Sequence, residues 1–385
     1  MVQSFPVAIA FAVSCVLSQG PPDARAGAPA RKIAPLTAVG DIHGDFQTLR
    51  ALLRSVGLID ESDRWIGGSR RLVQVGDLLD RGAESRKALE LLMRLEEEAL
   101  ASGGRVTVLL GNHEAMNLFG DLRFTSLQEF RAFAAEEVPE ERAKQRRRIE
   151  KLIAEGSPLL FSSCYRRIGS NFGPKDFDRC FPPGFFAHRA AFSPTGRYGK
   201  WLLSRNAVHL EERTVFLHAG LSARYGTVPI DELNRRIRGA LIAYLEAVAE
   251  LERHGVYDAA LGYGVLRFIL DAEKVAGGPH PRLAPVFGKL DELFAGVLFA
   301  GDGPLWYRGL AEGKEAVLSS TVGRILAFHD AERIVIGHTQ PASLRIEGRF
   351  GNRVILIDTG MNRVFYGGHP SALLFSADGT LRVAE

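Results

Sequence analysis

Short apolar runs of strand length recur along the chain, and most of them end at a glycine or a polar residue. Six of these runs predict β-strands, at 35–40, 71–76, 105–111, 213–218, 333–337 and 353–358. Between the first of them, apolar positions recur at helical spacing over 46–56 and 83–100. Because strand, loop and helix alternate, we expect an α/β fold in which helices bury the sheet.

Longer stretches separate the later runs. Residues 128–155 are rich in charge and predict one long helix, whereas 161–198 show little periodicity. We predict one catalytic domain over residues 33–375, with insertions at about 121–200 and 231–300. Since loops and insertions next to a rigid scaffold carry specificity, these two would form a cap over the site and set its selectivity.

Residue types that bind metals follow five of the apolar runs. Their motifs are 40–45 (GDIHGD), 76–82 (GDLLDRG), 111–114 (GNHE), 218–220 (HAG) and 337–339 (GHT). In α/β sheets, ligands gather outside the carboxyl ends of the strands. The residues that we expect there as metal ligands are Asp41, His43, Asp77, Asn112, His218 and His338. Two metals held about 3.5–4 Å apart can clamp both the attacking and the leaving oxygen of a phosphoryl displacement, so the set predicts a phosphate-ester hydrolase.

Within this set, Asp77 is the natural bridge, because one carboxylate can give an oxygen to each metal. Asp41 and His43 would complete one metal site, and the other three residues would complete the second. Mixed carboxylate, amide and imidazole ligands favour Mn²⁺, Fe or Zn²⁺ over Ca²⁺, and we expect Mn²⁺. A hydroxide bridging the two metals would attack phosphorus directly, so no covalent phosphoenzyme is needed.

Four more residues have candidate roles at the phosphate. His113 follows a predicted ligand and is the candidate general acid for the leaving oxygen, with Asp80 as its carboxylate partner. Arg81 would bind phosphate oxygens through its planar fork, and Arg308 is a second candidate clamp. We expect Asp45 to have a structural role in its loop. Glycines 40, 76, 111 and 337 would let the backbone turn sharply before the ligands.

These motifs resemble the calcineurin-like metallophosphoesterase superfamily and, more narrowly, its phosphoprotein phosphatase family, whose signature reads GDxHG, GDxxDRG, GNHE, HxG and a late His. The resemblance implies a central β-sandwich flanked by helices in four αββα layers. It also implies the ligand, acid and arginine roles already given.

The chain departs from the eukaryotic Ser/Thr enzymes of this family at Leu110, where those enzymes usually have Arg. Residues 303–309, 358–361 and 366–368 are more similar to the bacterial-type Shewanella-like phosphatases, some of which prefer phosphotyrosine. The resemblance therefore leaves the choice between Ser/Thr and Tyr substrates open.

The charge balance argues against a nucleic-acid partner. The chain has 385 residues, of which 46% are hydrophobic and 24% charged, and its net charge is only +3. The densest basic run, 142–151, is surrounded by glutamates and is typical of a solvated helix. We expect a phosphoprotein or a small phosphate ester as the partner.

The N-terminus resembles a secretory signal. An apolar stretch at 5–17, shorter than a membrane span, is followed by a Pro/Ala/Gly-rich segment at 20–30. We expect residues 1–30 to direct export to the periplasm or medium, although no Lys or Arg precedes the apolar stretch. If this segment is not a functional signal, the protein is cytoplasmic. Export would allow Cys164 and Cys180 to form a disulfide; otherwise both are free thiols.

Three functions remain open at this point. The first is a protein phosphatase that acts on Ser/Thr or Tyr, which the patterns at 303–309 and 358–368 favour. The second is a hydrolase of diadenosine tetraphosphate or another nucleotide, since such enzymes share the DRG and GNHE motifs. The third is a non-catalytic module that binds metal and phosphopeptide, which would not require the proton donor His113 with Asp80.

Overall fold

Two five-stranded β-sheets organise the residues that the computed structural model describes, which are 34–154, 174–258, 261–275, 278 and 280–385. The strands are β1 (Leu36–Val39), β2 (Arg71–Gln74), β3 (Arg105–Val108), β4 (Val208–Glu211), β5 (Thr214–Leu217), β6 (Arg333–Ile336), β7 (Glu347–Arg349), β8 (Val354–Leu356), β9 (Ala372–Phe375) and β10 (Leu381–Ala384). Each of the six predicted runs contains a strand. The predicted export segment and Cys164 lie outside the described residues.

The first sheet has the order β10-β9-β1-β2-β3, and the second has the order β4-β5-β6-β8-β7. In the first sheet β1, β2 and β3 are parallel, and in the second sheet β5, β6 and β8 are parallel. The other strands pair in the antiparallel sense on the flanks. Because the carboxyl ends of parallel strands share one edge, each sheet gathers its metal-binding motifs at one edge.

Alternation along the strands builds the core between the sheets. Leu36 and Ala38 of β1 join Val335 of β6 and Ile355 of β8 in one buried apolar cluster. Val39, which follows Ala38, belongs instead to the larger core that includes the helices. Successive side chains of a strand point to opposite faces, so each sheet has one face on the other sheet and one on helices. This confirms the predicted α/β fold with two central sheets flanked by helices.

Along the described chain, two helices connect the strands β1 to β3, six lie between β3 and β4, five lie between β5 and β6, and one lies between β8 and β9. They are α1 (Phe46–Ser55), α2 (Ser85–Ala101), α3 (Asn112–Phe119), α4 (Leu127–Arg131), α5 (Pro139–Ala154), α6 (Pro174–Cys180), α7 (Phe185–Ala191), α8 (Arg197–Leu203), α9 (Ile230–Arg253), α10 (Tyr263–Val275), α11 (Ala284–Phe294), α12 (Gly309–Glu312), α13 (Glu315–Phe328) and α14 (Arg363–Tyr366).

The prediction of one long helix over 128–155 is wrong. The chain forms α4, then a 3₁₀ turn at Ala134–Glu136, and then α5. Helix α5 begins at Pro139. This proline has no N–H to donate to a preceding turn, and it disfavours helical backbone at Val138. A proline suits the first position of a helix, so the charge pattern here belongs to two helices rather than one.

Two further observations concern Cys180 and the apolar character of the helices. Cys180 is disulfide-bonded, and its partner lies outside the described residues. Among the helices of the described ranges, none is both long enough and apolar enough to cross a membrane.

Candidate metal centre

The six predicted metal-ligand residues lie together where the strands of both sheets end. Two sets of ligand atoms each fall within 4.8 Å of one another: one from His43, Asp77 and His113, and one from Asp77, His218 and His338. Asp77 belongs to both sets. The structure thus gives this carboxylate the central position that the sequence predicts for a bridging ligand.

The two carboxylate oxygens of Asp77 face different histidines. Its Oδ1 lies 3.3 Å from Nε2 of His218, and its Oδ2 lies 3.6 Å from Nε2 of His43. Nε2 of His113 is 3.7 Å from the same Oδ2. One carboxylate therefore presents one oxygen to each half of the centre.

Asp41 and Asn112 complete the two halves. Oδ2 of Asp41 is 3.8 Å from Nε2 of His43, and both of its oxygens accept the backbone N–H of His338 at 3.1 Å. Oδ1 of Asn112 is 2.7 Å from Nε2 of His218, which lies 3.0 Å from Nδ1 of His338. Each predicted ligand is thus next to at least one other.

Backbone carbonyls orient two of the imidazoles. Nδ1 of His43 lies 3.0 Å from the carbonyl oxygen of Leu79, and Nδ1 of His218 lies 3.1 Å from that of Val75. A carbonyl can only accept, so each Nδ1 carries a proton. In the neutral ring Nε2 then directs its lone pair into the centre, which is the usual way in which an outer hydrogen bond prepares a metal-binding histidine.

The donor chemistry fits divalent cations. Around Nε2 of His218, Oδ1 of Asn112, Nδ1 of His338 and Oδ1 of Asp77 all lie within 3.3 Å, and each can direct a lone pair at a shared cation. Nε2 of His338 is buried and has no hydrogen-bond partner. Such lone pairs are costly when buried unless a donor or a cation satisfies them.

The charges of the buried groups agree with this fit. Burial lowers the pKa of His43 to about 3 and also lowers the pKa of His338, so both rings are neutral, as a metal requires. Burial raises the pKa of Asp41 well above its usual value, and the nearby carboxylates of Asp358 and Asp77 raise it further. A concentration of buried acidic groups of this kind calls for positive charge within the centre.

The backbone at the site is strained at several predicted functional residues. Asp77, Asp80 and Arg81 have φ of 57°, 70° and 68°, and His43 and His338 have φ of 48° and 65°. This left-handed region is unfavourable for residues with a Cβ and persists only where surrounding contacts enforce it. The loop that carries Asp77 is therefore a position where supporting contacts are needed.

The four glycines that precede the ligands meet two different requirements. Gly76 has φ of +96°, which a residue with a side chain rarely adopts. Gly111 and Gly337 instead allow close approach, since an added methyl group would collide with Oδ1 of Asp77 and of Asp41, respectively. At Gly40 the same group would meet the carbonyl oxygen of Ile357.

Glu114 is a supporting residue that the sequence reasoning missed. Its fully buried carboxylate accepts the N–H groups of Asp77 at 2.7 Å, Leu78 at 2.8 Å and Gly111 at 2.8 Å. It thereby ties the strained loop to the start of α3. Burial together with the charge of Asp77 raises its pKa to about 7. The available signal was its position three residues after Gly111 at a helix start, where a Glu reaches back to the chain.

His113 and Asp80 form the pair that the sequence predicts. Nδ1 of His113 donates to Oδ2 of Asp80 at 2.6 Å. Burial lowers the pKa of His113, but the negative charges of Asp77 and Asp80 outweigh this and raise it above the ordinary value. Arg81 is next to this pair, and its Nη2 lies 3.2 Å from Nε2 of His113. Because a guanidinium can only donate, Nε2 is the acceptor in this arrangement.

The two candidate phosphate-binding arginines have different surroundings. The guanidinium of Arg81 lies 5.1–5.3 Å from the ring centres of Phe124, Phe365 and Tyr366, which hold its plane by cation–π contact. Arg308 instead donates from Nη1 to the carbonyl oxygen of His338 and to Oγ1 of Thr339, both at 2.9 Å. The sequence predicted neither the aromatic surroundings of Arg81 nor the attachment of Arg308 to the His338 turn.

Asp45 has the structural role that we expected. Its carboxylate accepts the N–H of Thr48 at 3.0 Å and so caps the N-terminus of α1. Within this motif, Asp41 and His43 are the residues that face the metal centre.

Comparison with known proteins agrees with this geometry. The sequence profile of the calcineurin-like phosphoesterase family matches residues 34–341. The chain is 29% identical over 358 residues to Shewanella-like protein phosphatase 2 of Arabidopsis thaliana, covering 90% of this chain and 76% of that protein. It is 24% identical over 338 residues to Shewanella-like protein phosphatase 1 of Plasmodium berghei, covering 87% of this chain and 69% of that one.

A solved structure shares the fold. It is the cold-active protein-tyrosine phosphatase of a psychrophilic Shewanella species, with a TM-score of 0.55 and 24% sequence identity. The match covers 92% of this chain and 81% of that chain.

Proposed function

Because this chain belongs to the calcineurin-like phosphoesterase family, we propose that it is a protein phosphatase that hydrolyses phosphate monoesters with two divalent metal ions. The observation that carries the proposal is the position of Asp77, whose two oxygens face separate sets of metal-binding atoms. The names of its relatives, Shewanella-like protein phosphatases, support a phosphoprotein substrate. The identity of the phosphorylated residue, Ser/Thr or Tyr, is the part that the experiment below decides.

The metal assignment is part of this proposal. Asp41 and His43 would hold one ion, Asn112, His218 and His338 would hold the other, and Asp77 would be shared. Mn²⁺ suits this mixture of carboxylate, amide and imidazole donors, with Fe and Zn²⁺ as the alternatives. When bound, the ions supply Lewis acidity that activates water and neutralises negative charge on the transferring phosphoryl group.

The side chains around the ions then have separable tasks. Arg81 and Arg308 bind phosphate oxygens and orient the monoester. His113 donates a proton from Nε2 to the leaving oxygen as the bond from that oxygen to phosphorus breaks and a new bond from water oxygen forms. Since Nε2 accepts from Arg81 in the substrate-free arrangement, two changes must precede the step: the guanidinium turns toward the phosphate, and Nε2 takes up a proton from solvent, which it then donates. Asp80 keeps the ring in the tautomer and orientation that this step requires.

A substrate panel tests the proposal. The purified protein is stripped of metal, reconstituted with Mn²⁺, and assayed on a phosphotyrosine peptide, phosphoserine and phosphothreonine peptides, and diadenosine tetraphosphate. We expect metal-dependent release of phosphate from at least one peptide, and the faster peptide fixes the residue preference. Cleavage of the dinucleotide alone would assign a nucleotide hydrolase instead. Failure to cleave any of them with metal bound would favour the non-catalytic binding module.

Export is a separate proposal that rests on the sequence of residues 5–30. It predicts that the mature protein begins after this segment and fractionates outside the cytoplasm. Mass spectrometry of the N-terminal peptide, from protein expressed with its full sequence, checks it. An intact N-terminus in the cytoplasmic fraction would overturn it.

A further inference from the structure

Asp80 has a second oxygen that the predicted acid pair does not use. The residue is completely buried, and its Oδ2 accepts from His113. Its Oδ1 accepts from Oγ1 of Thr125 at 2.8 Å and from Nδ2 of Asn117 at 3.1 Å. Both oxygens of this carboxylate are therefore fixed by protein groups, and its plane is determined from two sides.

Thr125 reaches Asp80 from a separate segment of the chain, residues 124–126, which we call the clamp. Three contacts attach the clamp to the loop that carries Asp80 and Arg81. The N–H of Arg81 donates to the carbonyl oxygen of Phe124 at 2.9 Å, and Oγ of Ser126 donates to that of Gly82 at 2.7 Å. The Thr125 hydroxyl makes the third contact, and it is the one that ends on the functional carboxylate.

The clamp also contacts the two residues that Asp80 adjoins, His113 and Arg81. The ring of Phe124 lies 5.3 Å from that of His113, centre to centre, and 5.2 Å from the guanidinium carbon of Arg81. The orientation of His113 thus depends on its hydrogen bond to Asp80 and on its ring contact with the clamp. A carboxylate held at one oxygen alone can rotate and take the imidazole with it, and small misplacements of a catalytic group are costly.

We propose that Thr125 is a positioning residue for leaving-group protonation: its hydroxyl, with the amide of Asn117, fixes the Asp80 carboxylate so that Nε2 of His113 points at the leaving oxygen. This inference rests on the proposed phosphatase function. It also gives the first predicted insertion a part in positioning the proton donor, because the clamp supplies the hydroxyl from a segment outside the ligand motifs.

Two substitutions at Thr125 separate the hydroxyl from the bulk of the side chain. Thr125→Val keeps the shape and removes the donor, whereas Thr125→Ser keeps the donor. Ser126→Ala is the matched control, since it loosens the same clamp without contacting Asp80. Each variant is assayed with Mn²⁺ on p-nitrophenyl phosphate, whose leaving group needs little protonation, and on phenyl phosphate, whose leaving group needs more.

We expect Thr125→Val to lower kcat on phenyl phosphate about ten- to a hundredfold, and on p-nitrophenyl phosphate by less than about threefold, with KM and metal content unchanged. Thr125→Ser should restore most of the loss. Ser126→Ala should affect both substrates equally and slightly. Equal losses on the two substrates for Thr125→Val, or a serine variant as impaired as the valine variant, would overturn the proposal.

A second measurement does not depend on turnover. The proton on Nδ1 of His113, in a hydrogen bond of 2.6 Å, should give a far-downfield ¹H resonance. We expect this resonance to move or broaden in Thr125→Val and to stay in Thr125→Ser and Ser126→Ala. An unmoved resonance in Thr125→Val would count against the positioning role. Wild-type protein that cleaves no phosphate ester would refute the proposed function, while this resonance would still report on Thr125.

Discussion

The metal side and the leaving-group side of the site are held in place by different kinds of contact. On the metal side, comprising the six ligand residues, the side chains follow directly from strand ends, and backbone groups such as the carbonyls of Val75 and Leu79 orient them. On the leaving-group side, comprising Asp80, Arg81 and His113, the orienting groups are side chains from distant segments. The ligand positions are thus set by the sheets, whereas the proposed proton transfer depends on how the clamp docks on the loop that carries Asp80.

This difference makes the two sides separable by mutation. A change on the metal side should remove metal and turnover together, because the ions and the strained loops support each other. A change on the leaving-group side should leave the metals bound and alter only turnover or substrate affinity. The following substitutions test this separation, from the largest expected effect to the smallest.

Asp77→Asn should have the largest effect. The amide offers one oxygen and no charge to a position where both oxygens face histidines, so metal and activity should be lost together. We expect turnover to fall at least roughly a thousandfold, since the ions supply the nucleophile. Elemental analysis and a monoester assay on the same sample measure both quantities. Two equivalents of metal in the variant would contradict the bridging role.

His113→Asn should reduce kcat by roughly a hundred- to a thousandfold, because the leaving oxygen loses its proton donor. Metal content should remain that of the wild type, in contrast to Asp77→Asn. Steady-state assays combined with elemental analysis check this pair of outcomes. If turnover is unchanged, another group must be the acid.

Arg81→Ala should raise KM for phosphate monoesters about tenfold or more, since a charge-assisted hydrogen bond to the dianion is lost. Arg81→Lys is the control: it keeps the charge but not the planar fork that lies among the three rings. Initial-rate kinetics over a range of substrate concentrations give both constants. A KM equal to that of the wild type would mean that a different residue binds the phosphate.

Glu114→Gln should weaken metal binding about tenfold, within the range seen when groups that orient metal ligands are removed. The glutamine amide would turn N–H groups toward the N–H groups of Asp77 and Gly111, which the carboxylate now accepts. Titration calorimetry with Mn²⁺ measures the change. Wild-type affinity would mean that the strained loop keeps its shape without this residue.

Asp45→Ala should have the smallest effect on the chemistry. Losing the cap of α1 should destabilise the fold by about 1 kcal/mol, while metal content and kcat stay unchanged. Urea denaturation followed by circular dichroism measures the free energy of unfolding. Metal loss in this variant would show that Asp45 belongs to the centre after all.

The sequence predicts the residues of both sides, but it does not predict the contacts that hold the leaving-group side in place. Asp41, Asp77 and His218 each follow an apolar run, and the rule that parallel strands gather ligands at one edge brings them together without knowledge of any long-range contact. Thr125 contacts a residue 45 positions away through the docking of an irregular segment. No spacing in the sequence encodes such a contact, so it had to be read from the structure.

Local signals explain the remaining differences. Pro139 marks the start of a helix. Because proline has no N–H to donate to the preceding turn, its presence within 128–155 already indicates that one helix ends before it and another begins at it. The supporting role of Glu114 could be predicted, because this residue lies three positions after Gly111 at the start of a helix. The crowding at Gly111 and Gly337 could not be predicted, because it arises from carboxylates that approach from other parts of the chain.

The central claim is that Asp77 stands between two metal ions. The most direct test is a crystal structure of the Mn²⁺-reconstituted protein with diffraction data collected at a wavelength where manganese scatters anomalously. The account predicts two anomalous peaks about 3.5–4 Å apart, with the carboxylate of Asp77 bound to both ions. A single peak, or two peaks that do not share Asp77, would contradict it.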